Sequence, residues 1–221
     1  MIKAVLFDTI GTTVKESDPS FMSSCFVEAF AQNSIQIDPS DFYQYRGLDK
    51  KTAIKTVLKK YDHPERLSES IFNSFESIID QNIQNFSEME DAADLFIYLR
   101  TKKIKIGIGT GLPADLFQKI FIYLGWQKYS FDYIGISDVI GASRPHPAMI
   151  FDMMNKLDIN DRSSIIKVGD TIADVQEGKN AGVITVALLS GTQTRSDIEK
   201  VNPDFIINLL TEVKEIVDQI T

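Results

Sequence analysis

The spacing of apolar residues differs between parts of this chain: some parts have continuous apolar runs, and others have apolar residues at helical spacing. The first part is a continuous apolar run, Ala4 to Phe7, which ends in Asp8 and a glycine-containing turn. A run of this length bounded by turn residues predicts a central strand of a parallel sheet, buried on both faces. From Asp91 onward, similar runs alternate with helical stripes, which is typical of a doubly wound parallel sheet.

The stretch between these parts has helical spacing and no strand signal. Four helices are expected there, beginning near Asp18, Pro39, Asp49 and Pro64. The fourth is expected to be long and to extend to Phe86. The predicted architecture is therefore an α/β fold, a doubly wound parallel sheet with a Rossmann-like core formed by residues 1–14 and 90–221. An all-helical cap, residues 15–89, is inserted after the first strand.

The second half of the chain is expected to supply the remaining strands and the helices that cover them. Strands are expected at Ile104–Ile108, Tyr133–Ile136, Ser164–Val168, Val183–Leu189 and Phe205–Ile207. Helices are expected at Ala92–Lys102, Pro113–Leu124, Pro147–Leu157 and Thr171–Ala181, with a last one from Thr211. Gly182 is a C-terminal cap signal for the helix before it.

The charge and cysteine content of the chain argue against some classes of binding partner and cellular location. The 221 residues carry a net charge of −8, which argues against a nucleic-acid or anionic-membrane partner. Cys25 is the only cysteine, so no intramolecular disulfide can form, and a cytoplasmic protein is expected. The apolar run after Met1 is too short for a signal peptide, and no segment is long and apolar enough to span a bilayer.

Polar residues follow the predicted strands where open α/β sheets place their ligands. They are Asp8, Thr110 with Gly111, Arg144, and the pair Asp170 and Asp174. Three carboxylates at one edge would repel one another unless a hard divalent cation lay between them, and oxygen ligands of this kind favour Mg²⁺. The Thr110 hydroxyl and the Gly111 amide can donate to a phosphoryl oxygen, while Arg144 supplies a fixed positive charge.

These motifs resemble those of the haloacid dehalogenase superfamily, in particular its phosphonatase-like branch. Residues 8–14 (DTIGTTV) resemble the first motif, Thr110 the second, and residues 144–147 (RPHP) the third. Residues 167–174 (KVGDTIAD), continuing through EGKNAG to Gly182, resemble the fourth, which is the most specific. The resemblance covers nearly the whole chain, including a helical cap after the first motif.

The resemblance implies a role for each matched residue. Asp8 would be the nucleophile that becomes an aspartyl-phosphate. Asp8, the Ile10 carbonyl and Asp170 would bind Mg²⁺, with Asp174 supporting them. Thr110 and Arg144 would hold the phosphoryl group.

One position departs from most phosphatases of the superfamily. They carry a second aspartate two residues after the nucleophile as general acid and base, and here that residue is Ile10. Loss of a positioned acid costs ~10²–10⁴ in rate, which argues against ordinary phosphate-ester hydrolysis. Phosphonatases also lack this aspartate; in them a cap lysine forms a Schiff base with an aldehyde substrate, and the leaving group departs as an enamine.

The cap segment Arg46-Gly47-Leu48-Asp49-Lys50 resembles the motif that carries this lysine and places Lys50 in that role. Lys50 is expected in the first turn of a helix beside Lys51, where the helix dipole and the like charge favour the neutral amine, although Asp49 opposes them. The match weakens after Lys50, because Lys51-Thr52-Ala53 lacks the expected histidine base. Arg46 and Lys50 are alternatively expected only to bind substrate.

The leading prediction is a Mg²⁺-dependent hydrolase of a small phosphorylated or phosphonate substrate, with phosphonoacetaldehyde hydrolysis as its most specific form. The alternatives are a phosphate-ester phosphatase of the phosphoglycolate phosphatase type, and a degenerate member that only binds phosphate. A dehalogenase is less favoured because carbon–halogen displacement needs no metal, and a response-regulator receiver because receivers have no cap. The protein is expected to be a monomer or a homodimer.

Overall fold

A computed structural model describes residues 1–220 and shows a six-stranded parallel sheet with helices on both faces. The strands of this sheet are β1 (Ala4–Asp8), β4 (Lys105–Thr110), β5 (Tyr133–Ile136), β6 (Ile165–Gly169), β7 (Ile184–Leu188) and β8 (Phe205–Ile207). Their order is β5-β4-β1-β6-β7-β8, so the first strand is central. The predicted doubly wound α/β fold is thereby confirmed.

The helices fall into two groups along the chain. Those that precede residue 90 are α1 (Phe21–Gln32), α2 (Ser40–Gln44), α3 (Lys50–Lys60) and α4 (Ser68–Gln81). Those that follow are α5 (Ala92–Thr101), α6 (Ala114–Tyr123), α7 (Ser137–Ile140), α8 (Ala148–Lys156), α9 (Ile172–Ala181), α10 (Arg195–Glu199) and α11 (Val213–Ile220). The short helices α7 and α10 were not predicted, because segments of four and five residues show too little periodicity.

Alternating residues of β1 pack into different layers, as a strand buried on both faces requires. Val5 and Phe7 belong to the larger core, in which the Phe7 ring meets the Phe96 ring of α5 edge-on at 5.7 Å. Ala4 and Leu6 belong to a second core, against α8 on the other face. Both side-chain layers are fully shielded from solvent at β1, so its carboxyl end is fixed at the centre of the sheet edge.

Two strands lie where none was predicted. Val14–Glu16 (β2) pairs antiparallel with Phe86–Glu88 (β3) and forms a separate two-stranded ribbon. The predicted fourth helix is also too long: a 3₁₀ turn at Glu65–Leu67 precedes α4, which ends at Gln81. Strands of three residues are too short to show an alternation of apolar and polar positions. Phe86 in β3 was therefore assigned to the predicted helix, because it happens to continue the helical spacing of the apolar residues before it.

The chain between the ribbon strands forms a helical bundle with its own aromatic centre. The Phe26 ring is fully buried and meets the rings of Phe30, Phe42 and Phe75 at centroid distances of 5.1, 4.8 and 6.1 Å. The division into a core and a cap at residues 15 and 89 remains a prediction. Within residues 1–220, no helix combines the length and apolar character that crossing a bilayer requires.

The aromatic centre of the bundle yields a prediction about stability. Phe26→Ala removes a fully buried ring and should lower the free energy of unfolding by about 3–5 kcal/mol, measured by urea denaturation. Phe151→Ala is the matched control, because the Phe151 side chain is exposed at 36% of its surface and should lose far less. Equal losses would contradict this account of the bundle.

Candidate active site

Asp8 lies at the carboxyl end of the central strand, where only 5% of its surface is exposed. The loop after it is held by the Thr13 hydroxyl, which donates to the Asp8 carbonyl oxygen at 2.9 Å. Gly11 in this loop has a φ of +93°, and a Cβ atom there would lie 2.3 Å from Asp170 Oδ2. Glycine is needed at this turn because the backbone passes with positive φ directly against a second carboxylate.

Three carboxylates meet at this edge of the sheet. One oxygen each from Asp8, Asp170 and Asp174 lie within 4.8 Å of one another, and all three residues are buried. Asp170 follows β6 and accepts a hydrogen bond on Oδ1 from the Thr12 hydroxyl at 3.1 Å, while its buried Oδ2 has no partner among the described residues. Burial, reinforced by the charges of Asp8 and Asp174, raises the pKa of Asp170 to about 8.

Asp174 is held more tightly than the other two. It lies in the first turn of α9, where it forms a reciprocal capping box with Thr171, whose hydroxyl donates to Asp174 Oδ2. Its other oxygen, Oδ1, accepts from Arg144 Nη1 at 2.8 Å. Burial alone would raise the pKa of Asp174, but the charges of Arg144 and Lys167 outweigh it and hold the pKa below its usual range.

Arg144 joins the nucleophile candidate to this acidic group. Its Nη1 lies 2.6 Å from Asp8 Oδ1 as well as 2.8 Å from Asp174 Oδ1. Burial still raises the pKa of Asp8, although Arg144 opposes it. The Nε and Nη2 atoms of Arg144 are buried and make no hydrogen bond within the part of the chain that is described. The arginine can therefore donate to a further anion without leaving Asp8.

Two charged residues behind this cluster were not singled out by the sequence analysis. Lys167 lies inside β6 with Nζ 2.9 Å from Asp174 Oδ1 and 3.2 Å from Glu177 Oε2, and both Lys167 and Glu177 are fully buried. The available signal was a lysine within a strand predicted to be buried on both faces, because such a charge needs a buried partner. Glu177 lies three residues after Asp174, on the same side of α9.

The charges in this cluster do not balance. The carboxylates of Asp8, Asp174 and Glu177 lie within 4.0 Å of the two cations Arg144 and Lys167, and a fourth carboxylate, that of Asp170, lies within 4.8 Å of Asp8 and Asp174. This leaves an excess of two negative charges in a buried cluster if all four carboxyl groups are ionised. A divalent cation among the carboxylates would offset this excess, and the unpartnered Asp170 Oδ2 offers it a ligand atom.

A pocket separates the carboxylates from the helical bundle. Asp8, Ile10, Thr110, Gly111 and Arg144 line it from the sheet, and Met22, Phe42, Arg46, Gly47, Leu48 and Lys50 line it from the bundle. It contains about 390 Å³ of unfilled space, part of it open to solvent. The structure thus brings the predicted residues of the two parts of the chain around one pocket.

Backbone atoms of the two parts approach closely beside this pocket. A Cβ atom on Gly111 would lie 3.0 Å from the Leu48 carbonyl oxygen, and the Asp49 amide donates to the Ser143 hydroxyl at 2.9 Å. The Thr110 hydroxyl accepts from the Leu112 amide at 3.0 Å, which leaves its own proton for another acceptor. The pocket is therefore narrow and rich in donors next to Asp8.

Lys50 is buried in the part of the pocket wall that the helical bundle forms. It is the first residue of α3, which begins near Asp49 as predicted; Asp49 is its N-cap and accepts from the Thr52 amide at 2.9 Å. The Lys50 ammonium donates to the Leu48 carbonyl oxygen at 3.2 Å and lies 5.4 Å from the centre of the Phe42 ring. Burial, with the neighbouring Arg46 next in size, lowers the pKa of Lys50 to about 8.

Arg46 is paired from outside the pocket. Its Nη2 donates to Glu16 Oε1 at 3.0 Å, and both side chains are almost fully buried. Its Nη1 donates to the Pro19 carbonyl oxygen at 3.4 Å. The sequence analysis expected Arg46 to bind substrate and did not notice Glu16, which lies in the unpredicted strand β2.

Comparison with known proteins shows which family the sequence matches. A family model described as haloacid dehalogenase-like hydrolase matches residues 5–188. The phosphonoacetaldehyde hydrolase of Latilactobacillus sakei is 30% identical, over 86% of this chain and 77% of that protein. The phosphonoacetaldehyde hydrolase of Bacillus cytotoxicus is 28% identical, over 98% of this chain and 86% of that protein.

Solved structures share the fold over almost the whole chain. A phosphonoacetaldehyde hydrolase-like protein from Oleispira antarctica superposes with a TM-score of 0.87 at 18% identity, covering 99% of this chain and 92% of that one. A predicted phosphoglycolate phosphatase from Haemophilus somnus gives a TM-score of 0.81 at 19% identity, covering 98% of each chain. At such identities the likeness shows the fold alone.

The buried pair behind the carboxylates yields a prediction about stability. Lys167→Met leaves Asp174 and Glu177 with an uncompensated buried charge and should cost about 3–5 kcal/mol of unfolding free energy in urea. The double variant Lys167→Met, Glu177→Met replaces both members by apolar side chains and should recover most of this loss. Lys105→Met removes a half-exposed ion pair and should change stability by less than about 1 kcal/mol. A double variant less stable than Lys167→Met would contradict this interpretation.

Proposed function

We propose that this chain, which belongs to the haloacid dehalogenase-like hydrolase family, cleaves a small phosphonate by transfer of its phosphoryl group to Asp8. The proposed substrate class is a phosphonate with an aldehyde, such as phosphonoacetaldehyde. One observation carries the proposal: Asp8, from the sheet, and the buried Lys50, from the helical bundle, line the same pocket. The curated relatives that bear the name phosphonoacetaldehyde hydrolase support it.

Mg²⁺ is proposed as the cofactor, and the donor set fits it. The carboxylates of Asp8 and Asp170 and the carbonyl oxygen of Ile10 are proposed as ligands, since hard divalent cations prefer oxygen atoms. Both oxygens of Asp174 are already engaged by Arg144, Lys167 and Thr171, so its proposed role is to support the site. The cation would offset negative charge as the phosphoryl group approaches Asp8.

Residues beside Asp8 are suited to hold the phosphoryl oxygens. Arg144 keeps two buried donor atoms unused, and the Thr110 hydroxyl has a proton to donate. With the Gly111 amide, they would stabilise the charge that develops as an Asp8 oxygen bonds to phosphorus. Water then attacks this aspartyl-phosphate, releasing phosphate and restoring the Asp8 carboxylate.

Lys50 allows the carbon leaving group to depart, because it forms an imine with the aldehyde of the substrate. Its neutral amine adds to the aldehyde carbon and water departs, which gives an imine; the imine nitrogen then takes up a proton from solvent. When the carbon–phosphorus bond breaks, its electron pair moves into the carbon–carbon bond and on to the imine nitrogen, giving an enamine. No acid is needed at the leaving carbon during this step, so Ile10 can stand where an aspartate would otherwise protonate an alkoxide. Protonation and hydrolysis of the enamine release the aldehyde and restore Lys50.

A phosphate-ester phosphatase is the second candidate. The observation that favours it is Ala53, which lies fully buried one helical turn after Lys50 and supplies no base. In this alternative, Lys50 and Arg46 bind the anionic substrate by charge alone. A degenerate member that only binds phosphate is the remaining alternative, since Ile10 cannot transfer a proton. Monomeric or homodimeric state and a cytoplasmic location remain predictions.

The proposed metal site can be tested by direct binding. Asp170→Asn replaces an anionic ligand by an amide and should weaken Mg²⁺ binding by more than about tenfold, the lower end of what removal of even an indirect ligand partner costs. Isothermal titration calorimetry of the unliganded protein measures this without reference to turnover. Asp80→Asn, at an exposed ion pair with Lys119, should bind as the wild type does. Unchanged Mg²⁺ affinity in Asp170→Asn would contradict the proposed site.

The two halves of the reaction can be separated by variants. With phosphonoacetaldehyde and borohydride, wild type and Asp8→Asn should both gain a covalent adduct at Lys50, detected by peptide mass spectrometry. Only the wild type should release phosphate, because an amide cannot attack phosphorus. Lys50→Arg should lose both the adduct and phosphate release, and Lys51→Arg, on the exposed side of the same helix, should keep both. Ester hydrolysis without any adduct at Lys50 would favour the phosphatase instead.

A further inference from the structure

Lys50 differs from the other buried lysine of this chain in its surroundings. Lys167 lies within 3.2 Å of two carboxylates, whereas Lys50 is 7% exposed and has no carboxylate within 4.0 Å among residues 1–220. Its polar partner is the Leu48 carbonyl oxygen, and the Phe42 ring covers one side. A buried ammonium with such partners is costly, which favours release of its proton.

Arg46, the charged residue with the largest influence on Lys50, is held in place by a residue outside the pocket. Arg46 lines the pocket together with Lys50, four residues before it. Its guanidinium donates to Glu16 at 3.0 Å and to the Pro19 carbonyl oxygen at 3.4 Å, so it cannot turn away from the pocket without breaking a buried ion pair. Glu16 itself does not line the pocket that Lys50 faces.

We propose that Glu16 and Arg46 form a positioning pair, which holds a permanent positive charge beside Lys50 and keeps the Lys50 amine neutral and reactive toward a carbonyl carbon. The inference rests on the proposed function, because it takes Lys50 as the residue that meets the aldehyde. It assigns to Arg46 an action through Lys50 rather than on the substrate. Ala53 has no base that could take the proton from Lys50. The pair instead favours loss of this proton through the charge of Arg46.

The charges around Lys50 agree in sign with this role. Arg46 and Arg144 disfavour its protonated form, while Asp8 and Asp49 favour it, and burial is the largest influence. Glu16 also favours it, from behind Arg46. At pH 7, a pKa near 8 leaves roughly a tenth of the amine neutral, against about one part in two thousand for an ordinary lysine.

The test measures the titration of Lys50 itself. Pulses of acetaldehyde with cyanoborohydride, given between pH 6 and 10, alkylate a neutral amine, and peptide mass spectrometry reads the extent at each lysine. Lys51 in the same peptide region is half-exposed and serves as the internal standard. In the wild type, the labelling midpoint of Lys50 should lie well below that of Lys51.

The decisive variant neutralises both members of the pair. Glu16→Gln with Arg46→Gln leaves no uncompensated buried charge, and loss of the Arg46 cation should raise the Lys50 midpoint by about 1 pH unit. Arg46→Lys keeps the charge and should hold the midpoint near that of the wild type. Arg66→Gln, at an exposed arginine of the same bundle, is the control and should leave it unchanged. Circular dichroism and thermal melts establish that each variant is folded.

The outcomes separate the role of the Glu16–Arg46 pair from the proposed function. An unchanged or lowered midpoint in the double variant overturns the positioning role, as does a Lys50 that resists labelling at every pH in the wild type. A raised midpoint supports the role even if phosphonoacetaldehyde is not hydrolysed, in which case only the proposed function fails. Hydrolysis of phosphonoacetaldehyde with an unchanged midpoint leaves the proposed function intact and removes the role of the pair.

Discussion

Repulsion among buried carboxylates is the constraint on which the site depends. Asp8, Asp170 and Asp174 are brought together by two neighbouring strands and the first turn of α9, in surroundings that shield their charge little. Arg144, beside Asp8, and Lys167, beside Asp174, offset part of this charge. The negative charge that is not offset favours binding of a cation among the carboxylates. It also favours electrophilic groups of a ligand beside Asp8.

The sequence was sufficient for the sheet and for the residues at its carboxyl edge, and the physical reason is the same for both. A strand buried on both faces leaves an uninterrupted apolar run, so the polar residue that ends it is conspicuous. Asp8, Thr110 and Asp170 were found in this way, and parallel strands then bring such residues to one edge. The start of α3 near Asp49 was predicted from equally local chemistry, since Asp49 caps that helix.

What the sequence did not predict depends on contacts between distant segments. The ribbon of β2 and β3 joins residues about 70 positions apart, and each strand alone is too short for a periodic pattern. The pairs of Lys167 with Glu177 and of Glu16 with Arg46 are visible only when the burial of each charge is known. A lysine or glutamate in isolation is typical of a solvated surface, and only its position in the fold shows otherwise.

The ribbon has a consequence for how such a protein can change over time. Because Val14–Glu16 and Phe86–Glu88 run side by side, the chain leaves the ribbon for the intervening helices and returns to it about one strand spacing apart, roughly 4.8 Å. The segment of helices therefore connects these two strands at the same separation as the turn of a tight hairpin would. Helices can be lengthened, replaced or resculpted there without moving a single strand that carries Asp8 or Asp170. Changes in these helices can therefore reshape the part of the pocket wall that carries Lys50 while the strands before Asp8 and Asp170 keep their places.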